Sequence, residues 1–488
     1  MKQFLLLLLI IPFLSISQVQ IGQDINGDSS GDGFGRVIDL SSDGTIMIVG
    51  SQQIDFNGPD TGQIKVFKFE MGVWNQLGCT INGTSNYDYF GSSVAISGDG
   101  QTIAVGATGV DTALGSTGQI KTYRFISNDW VQIGQNLNGV ASGDQAGLAI
   151  SLSNTGDIIA IGAHQNDANG SNSGHVRVFE FDNINWIQKG LDINGNLSGL
   201  GFGYTIHISD DGLKFAEGHL YNTTSQYQTG FNRTFEFNGV NWVEYGNGNL
   251  SENTFGNYVR LSSNGNILAS GTAWTDTYGS LTGSLRIYNL DSNNNWIQIG
   301  SDLIGEASGD QFGSFFDLSS NGSIIAIGAP LNDSNGSNSG NVKVYENQSG
   351  VWTQVGSTIN GSAAGDFFGN SVRLSTDSNI LSIGGYNNDT NGSDSGHVRV
   401  YDLSGLTLAS DNFVLENFSV SPNPTTDKVS ITLTNNLELK AVSIYNYFGQ
   451  KIKKIQSREV DLSSLSIGVY FLEIETNKGK ASRKVVKK

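Results

Sequence analysis

Short apolar runs separated by polar, glycine-rich turns fill most of this chain. One stretch shows the pattern clearly. Ile324, Ile325, Ala326 and Ile327 form an unbroken apolar run, whereas Val342 and Val344 alternate with polar neighbours. The first pattern suits a strand buried on both faces, and the second a strand with one wet face. The spacing predicts four strands here, over residues 312–319, 323–329, 341–345 and 352–356, with a turn at Ser320-Asn321-Gly322. Equivalent turns read Asp43-Gly44, Asp99-Gly100 and Asp211-Gly212. Such pairs accept the positive φ angles of a tight hairpin, whose twist matches that of the flanking strands.

The same pattern recurs along the chain. Trp74, Trp130, Trp186, Trp242, Trp296 and Trp352 are 56, 56, 56, 54 and 56 residues apart. Phe-Gly pairs keep the same interval at Phe34, Phe90, Phe202, Phe255, Phe312 and Phe368, and Ala146-Gly147 takes that place in the third copy. Seven copies are present. Four antiparallel strands per copy, repeated radially, make the blades of a propeller. The seventh copy stops at Tyr401-Asp402-Leu403-Ser404 without a Trp strand, while Val19-Gln20-Ile21-Gly22 resembles Val131-Gln132-Ile133-Gly134 after Trp130. The missing strand is thus supplied from the other end of the segment. That predicts a closed ring rather than a solenoid, which would need capping repeats. The tryptophans and Phe-Gly pairs are therefore read as packing between blades.

Composition adds destination and limits on partners. Met1 and Lys2, an apolar run from Phe4 to Leu14, and Ser15-Ile16-Ser17 form a signal-peptide pattern over residues 1–17. No other run is long enough to cross a bilayer as a helix. Cys79 is the only cysteine, so no disulfide forms within the chain. Residues 18–410 carry 14 Lys and Arg against 37 Asp and Glu, a balance of −23, whereas residues 411–488 carry 12 against 8. Such an acidic body repels nucleic acid and anionic membranes.

The repeat resembles the FG-GAP repeats of integrin-α-like propellers, with Phe312-Gly313 followed by Gly328-Ala329-Pro330. The resemblance covers nearly all of residues 18–405, although only one copy has the full Gly-Ala-Pro. The integrin-like calcium loop between the first two strands is replaced here by a short turn, so that site is not carried over. After a linker at 406–412 the period ends, and residues 413–488 alternate as a small Ig-like β-sandwich, with strands at 428–434, 440–445 and 468–475. This segment resembles the type A sorting domain of the type IX (Por) secretion system. The resemblance rests on Ser421-Pro422-Asn423-Pro424-Thr425, Ile444-Tyr445-Asn446 with Gly449-Gln450, Leu465 followed by Gly468-Val469-Tyr470-Phe471, and the basic end from Arg483 to Lys488. It implies export by the type IX machinery to the medium or to the outer-membrane surface of a Gram-negative bacterium, with the tag commonly cleaved. The whole chain is thus read as all-β: a seven-bladed β-propeller closed by an N-terminal strand, then the sandwich.

Two sets of loop residues carry candidate chemistry. Asp167-Ala168-Asn169-Gly170-Ser171-Asn172-Ser173-Gly174 follows a second strand, with close equivalents from Asp333 through Asn335 and Ser337, and from Asp389 through Asn391 and Ser393. Oxygens at alternate positions suit Ca²⁺, although no bidentate Glu is fixed among them. The competing reading, an Asx-type turn in which the Asp receives backbone N–H groups, is the stronger one. The second set lies where the copies disagree: His164, Glu217, His219, Tyr221, Trp274, Tyr278 and Tyr386. By register these share one face of the disc, as a surface for a glycan or a protein. No His-x-x-x-His pair, nucleophile elbow or phosphate-cradling loop is present. The expectation is a non-enzymatic binding or adhesion protein. The alternatives are a secreted polysaccharide-degrading enzyme using face carboxylates such as Glu217 beside His219, and a structural matrix component.

Overall fold

The computed structural model describes residues 18–221, 229–246, 256–273, 280–406, 418–434, 437–446, 451–476 and 479–488. Residues 1–17, read above as a signal peptide, and most of the linker read at 406–412 lie outside them. The chain divides into two compact units, one ending at Gly405 and the other beginning at Leu406.

In the first unit the described residues form seven antiparallel sheets of four main strands in sequence order, plus a small ribbon pairing Asp111–Thr112 with Gly115–Ser116. The first strands are Val37–Leu40, Phe90–Ile96, Ala149–Leu152, Thr205–Ile208, Tyr258–Leu261, Phe315–Leu318 and Ser371–Leu374. Each touches the first strands on either side, and that of the seventh blade touches that of the first. The sheets therefore circle an axis lined by first strands. The fourth strand of the seventh blade is Val19–Gln20, paired with Tyr401 and Asp402. A belt of backbone bonds runs around one end of the channel: Ser42 N donates to Gly98 O, Gly98 N to Asn154 O, Asn154 N to Asp210 O, Asp210 N to Ser263 O and Ser263 N to Ser320 O. Thr376 N donates to Ser42 O at 2.8 Å, joining the last blade to the first.

The tryptophans pack between blades. Trp130 Nε1 donates to Leu77 O of the preceding blade at 2.9 Å, Trp242 to Lys189 O at 2.8 Å and Trp352 to Ile299 O at 3.0 Å. Trp186 and Trp296 reach the hydroxyls of Thr122 and Thr234 instead. Gly78, at φ +73°, seats the Trp130 ring, because a Cβ there would lie 2.8 Å from Cδ1 of that ring.

Two details differ from the pattern read along the chain. In the sixth copy the first strand begins at Phe315, two residues after Gly313 at φ +83°, whereas in the second copy the strand runs through Gly91 at φ +88° with a register shift between Phe90 and Ser93. The third strand, Asn341–Gln348, has no wet face at Lys343, which is buried and forms an ion pair with Glu306 on the connection from the fifth blade. A neighbouring connection covers what the alternation alone exposes.

The second unit packs a three-stranded sheet (Phe418–Ser421, Lys428–Leu433, Glu459–Asp461) on a four-stranded one (Lys451–Ile455, Leu439–Asn446, Gly468–Thr476, Gly479–Lys487). Val429, Ile431, Val460, Ile444, Leu472 and Ile474 are among their shared core. Lys487 is buried here and donates to the carbonyls of Leu462, Ser463 and Leu465. Among the described residues no helix is long and apolar enough to cross a membrane.

Candidate functional site

In the first strands, alternate residues point between blades and into the channel. Ile38, Leu40, Ile206 and Ile208 are buried between blades, whereas their neighbours line the axis. Five residues after the Phe of each Phe-Gly pair, the channel-lining column reads Asp39, Ala95, Ser151, His207, Arg260, Asp317 and Arg373. These groups hold one another across blades. Arg373 Nε donates to Asp39 Oδ1 at 3.0 Å, and Arg260 Nε to Asp317 Oδ1 at 3.1 Å. The other carboxylate oxygens accept from Ile96 N and Leu374 N at 2.9 and 2.8 Å, and His207 Nδ1 accepts from Leu261 N at 3.1 Å. Burial in the channel wall pushes His207 well below the usual imidazole range, reinforced by Arg260 and Arg373. It is therefore neutral, with its proton on Nε2. Burial also lowers Arg260 to about 10, and the nearby positive charge of Arg373 adds to this.

The channel opens at both ends. On the hairpin-turn side lies a cavity of about 150 Å³ lined by Asp39, His207, Arg260, Asp317 and Arg373. On the loop side, where second strands end, a cavity of about 190 Å³ is lined by Arg36, Tyr204, Tyr258 and Phe315 together with Arg260 and Arg373. The rings form an arc: His164 meets Tyr204 edge-on with centroids 5.6 Å apart, Tyr204 lies 6.3 Å from Tyr258, and Tyr258 5.6 Å from Phe315. On a separate arc the guanidinium of Arg36 stands 4.9 Å over the Tyr386 ring, which packs 5.4 Å from Phe367. His164 and Tyr386 thus join groups around the loop-side mouth. Burial lowers His164 to about 4.

Glu217 and His219 do not reach that face. Both are buried in the fourth blade, where Glu217 occupies the register of the core residue Ile161 and His219 that of Ala163. His219 Nδ1 lies 3.0 Å from Glu217 Oε1, and Glu217 Oε2 accepts from Gly203 N at 3.2 Å. In the third, sixth and seventh blades the matching glycine N–H goes to the backbone carbonyl of Gly162, Gly328 or Gly384. Tyr221 ends the second strand opposite Thr229. Trp274 and Tyr278 lie outside the described residues.

The three repeated loops are bonded as turns. Asp167 Oδ1 accepts from Asn172 N at 2.7 Å, Asp333 Oδ1 from Asn338 N at 2.8 Å and Asp389 Oδ1 from Asp394 N at 2.8 Å. The amides of Asn169, Asn335 and Asn391 donate to the carbonyls of Gly195, Gly361 and Gly27. Ser171, Ser337 and Ser393 sit at exposed or partly exposed turn positions. In each loop the Asp carboxylate accepts a backbone N–H, the bonding of an Asx-type turn. Among the described residues no three His, Cys, Asp or Glu side chains gather as a metal site.

Comparison with known proteins bears on both units. Residues 80–120 match the FG-GAP repeat, and residues 419–488 match the secretion system C-terminal sorting domain. The repeats are of the FG-GAP kind, and the second unit is a secretion sorting domain. The sorting domain marks the chain for secretion or cell-surface attachment and implies contact with the type IX machinery. No curated protein matches the chain. Among solved structures, the WD40 repeats of RRP9 are 13% identical, with TM-score 0.49, covering 80% of this chain and 100% of that one. The Dos1 propeller is 13% identical, with TM-score 0.45, covering 79% and 96%. At these identities the likeness concerns the fold alone.

The first-strand column and the mouth residues Arg36, Tyr204, Tyr258 and Phe315 escape a reading that looks only at second-strand ends. The signal lies in the same repeat. Two, three and five residues after each Phe-Gly Phe, the copies differ while their neighbours stay apolar.

Proposed function

We propose that this FG-GAP propeller is a secreted, non-enzymatic binding protein that presents the loop-side mouth of its channel to a glycan or protein. One observation carries the reading: aromatic rings and guanidinium groups from separate blades converge on one small basin. The non-enzymatic part is supported by Glu217 and His219 being enclosed between strands, away from any polymer chain. The binding is read as calcium-independent, supported by the turn bonding of the Asp167, Asp333 and Asp389 loops. Arrays of glycans and proteins probed with the full chain test the proposal. A saturable ligand that is lost in Tyr204→Ala is the expected result. The absence of any saturable ligand would support the matrix-component reading instead. Polysaccharide cleavage abolished by Glu217→Gln would replace the non-enzymatic reading with an enzymatic one.

A further inference from the structure

The chemistry of the loop-side basin goes further than its location and rests on the binding role proposed above. Three guanidinium groups line it, from Arg36, Arg260 and Arg373, and no carboxylate does. Asp39 and Asp317, the partners of Arg373 and Arg260, line the opposite cavity only. Arg260 and Arg373 reach both cavities, so the loop-side basin meets their guanidinium groups without the carboxylates that pair with them. Each of these two arginines donates Nε to its Asp and Nη1 to a backbone carbonyl, that of Val259 or Val372. Their Nη2 groups have no hydrogen-bond partner among the described residues, and the Arg36 side chain makes none there either. Burial and the neighbouring Arg373 lower Arg260 to about 10, against the opposing pull of Asp317 and Asp39.

The rest of the wall is aromatic and hydroxylated. Tyr204, Tyr258 and Phe315 offer rings, and Ser92 Oγ is buried at the mouth with no partner among the described residues. A planar carboxylate matches guanidinium forks, while a sugar ring with its hydroxyls matches tyrosine faces and serine hydroxyls. The surrounding body carries a balance of −23 over residues 18–410, which repels long polyanions. The small volume also favours one terminal unit over a threaded polymer.

We propose that the loop-side basin binds a single carboxylate-bearing sugar unit at the end of a glycan, its carboxylate held by Arg36, Arg260 and Arg373 and its ring against Tyr204, Tyr258 and Phe315. Calorimetric titration of the full chain tests this with the methyl glycosides of glucuronic acid and N-acetylneuraminic acid. Methyl glucoside serves as the neutral control and acetate as the bare carboxylate. The expected result is saturable binding of at least one acidic glycoside, with methyl glucoside and acetate weaker by about tenfold or more, the scale of one lost charged contact. Arg36→Gln should lose a similar factor with only a small drop in melting temperature, since the side chain makes no hydrogen bond among the described residues and loses only its stacking on Tyr386. Equal binding of the neutral glycoside, equal binding of acetate, or full affinity in Arg36→Gln overturns the proposal. If the arrays yield a neutral glycan or a peptide while both acidic glycosides stay silent, the acidic-sugar inference fails and the binding role stands. If arrays and titrations are all silent, both fail.

Discussion

At the scale of single residues, this propeller keeps histidines where protons are unwelcome. His175 and His397 start the third strands of the third and seventh blades and are almost fully buried. Burial lowers each from 6.5 to about 4, with a further push from Arg177 and Arg399 respectively. The folded chain thus binds fewer protons than the unfolded one between these values. Stability is then complete above the unfolded pKa near 6.5, falls as pH drops toward 4, and stops falling on this account below it. Each histidine contributes up to roughly 3 kcal/mol of that loss, at about 1.4 kcal/mol per unit. Urea titrations from pH 7 to 4 should show the decline, and His397→Gln should flatten part of it. A pH-independent midpoint would contradict the assignment. The sequence shows both histidines at one repeat position beside Gly, which marks them as scaffold or surface. Their depth in the sheet was not legible, because it depends on the neighbouring connections that cover them.

At the scale of elements, the blade is held by what each strand offers the next blade. Trp130 fills the seam between the first two blades and donates across it to Leu77 O. Trp130→Ala should cost about 3–5 kcal/mol, as large aromatic deletions in cores do, measured by chemical unfolding. The loops after the second strands are held by their own Asx-type bonds. Excess chelator should therefore leave the melting temperature unchanged, and a shift of several degrees on adding Ca²⁺ would assign these loops to metal. Strand types and hairpins were legible because apolar runs and Asn-Gly or Asp-Gly turns are local signals. The ends of strands were less so. The Phe-Gly glycine has a positive φ in both the second and the sixth blade, yet the strand runs through it in one and starts after it in the other, which the letters Phe-Gly do not reveal.

For the molecule as a whole, the ring depends on a strand that arrives from the far end of the repeat array. Val19–Gln20 and Ile25–Asn26 pair with the last third strand, Asp24 ties to Arg399, and Ile21 O receives the Trp74 indole. Removing residues 18–26 should lower the unfolding temperature. It should also promote self-association through the strand edge exposed at His397–Asp402, which light scattering beside a thermal melt would detect. Unchanged behaviour on both would mean that the backbone belt closed by Thr376 and Ser42 is enough to hold the ring. The period, the shared Trp and Phe-Gly positions, and the incomplete last copy together determined the blade number and the closing strand, while the destination came from the resemblance of residues 413–488 to a sorting domain. Blade number and closing strand are properties of spacing, which a linear sequence carries intact. Only the tertiary structure decided which residues meet. Asp39, His207, Arg260, Asp317 and Arg373 are separated by dozens to hundreds of residues and come together because first strands are innermost. Glu217 and His219, which alternate like face residues, are enclosed because a second strand has a blade on either side. Radial position decides both outcomes, and it exists only once the ring has closed.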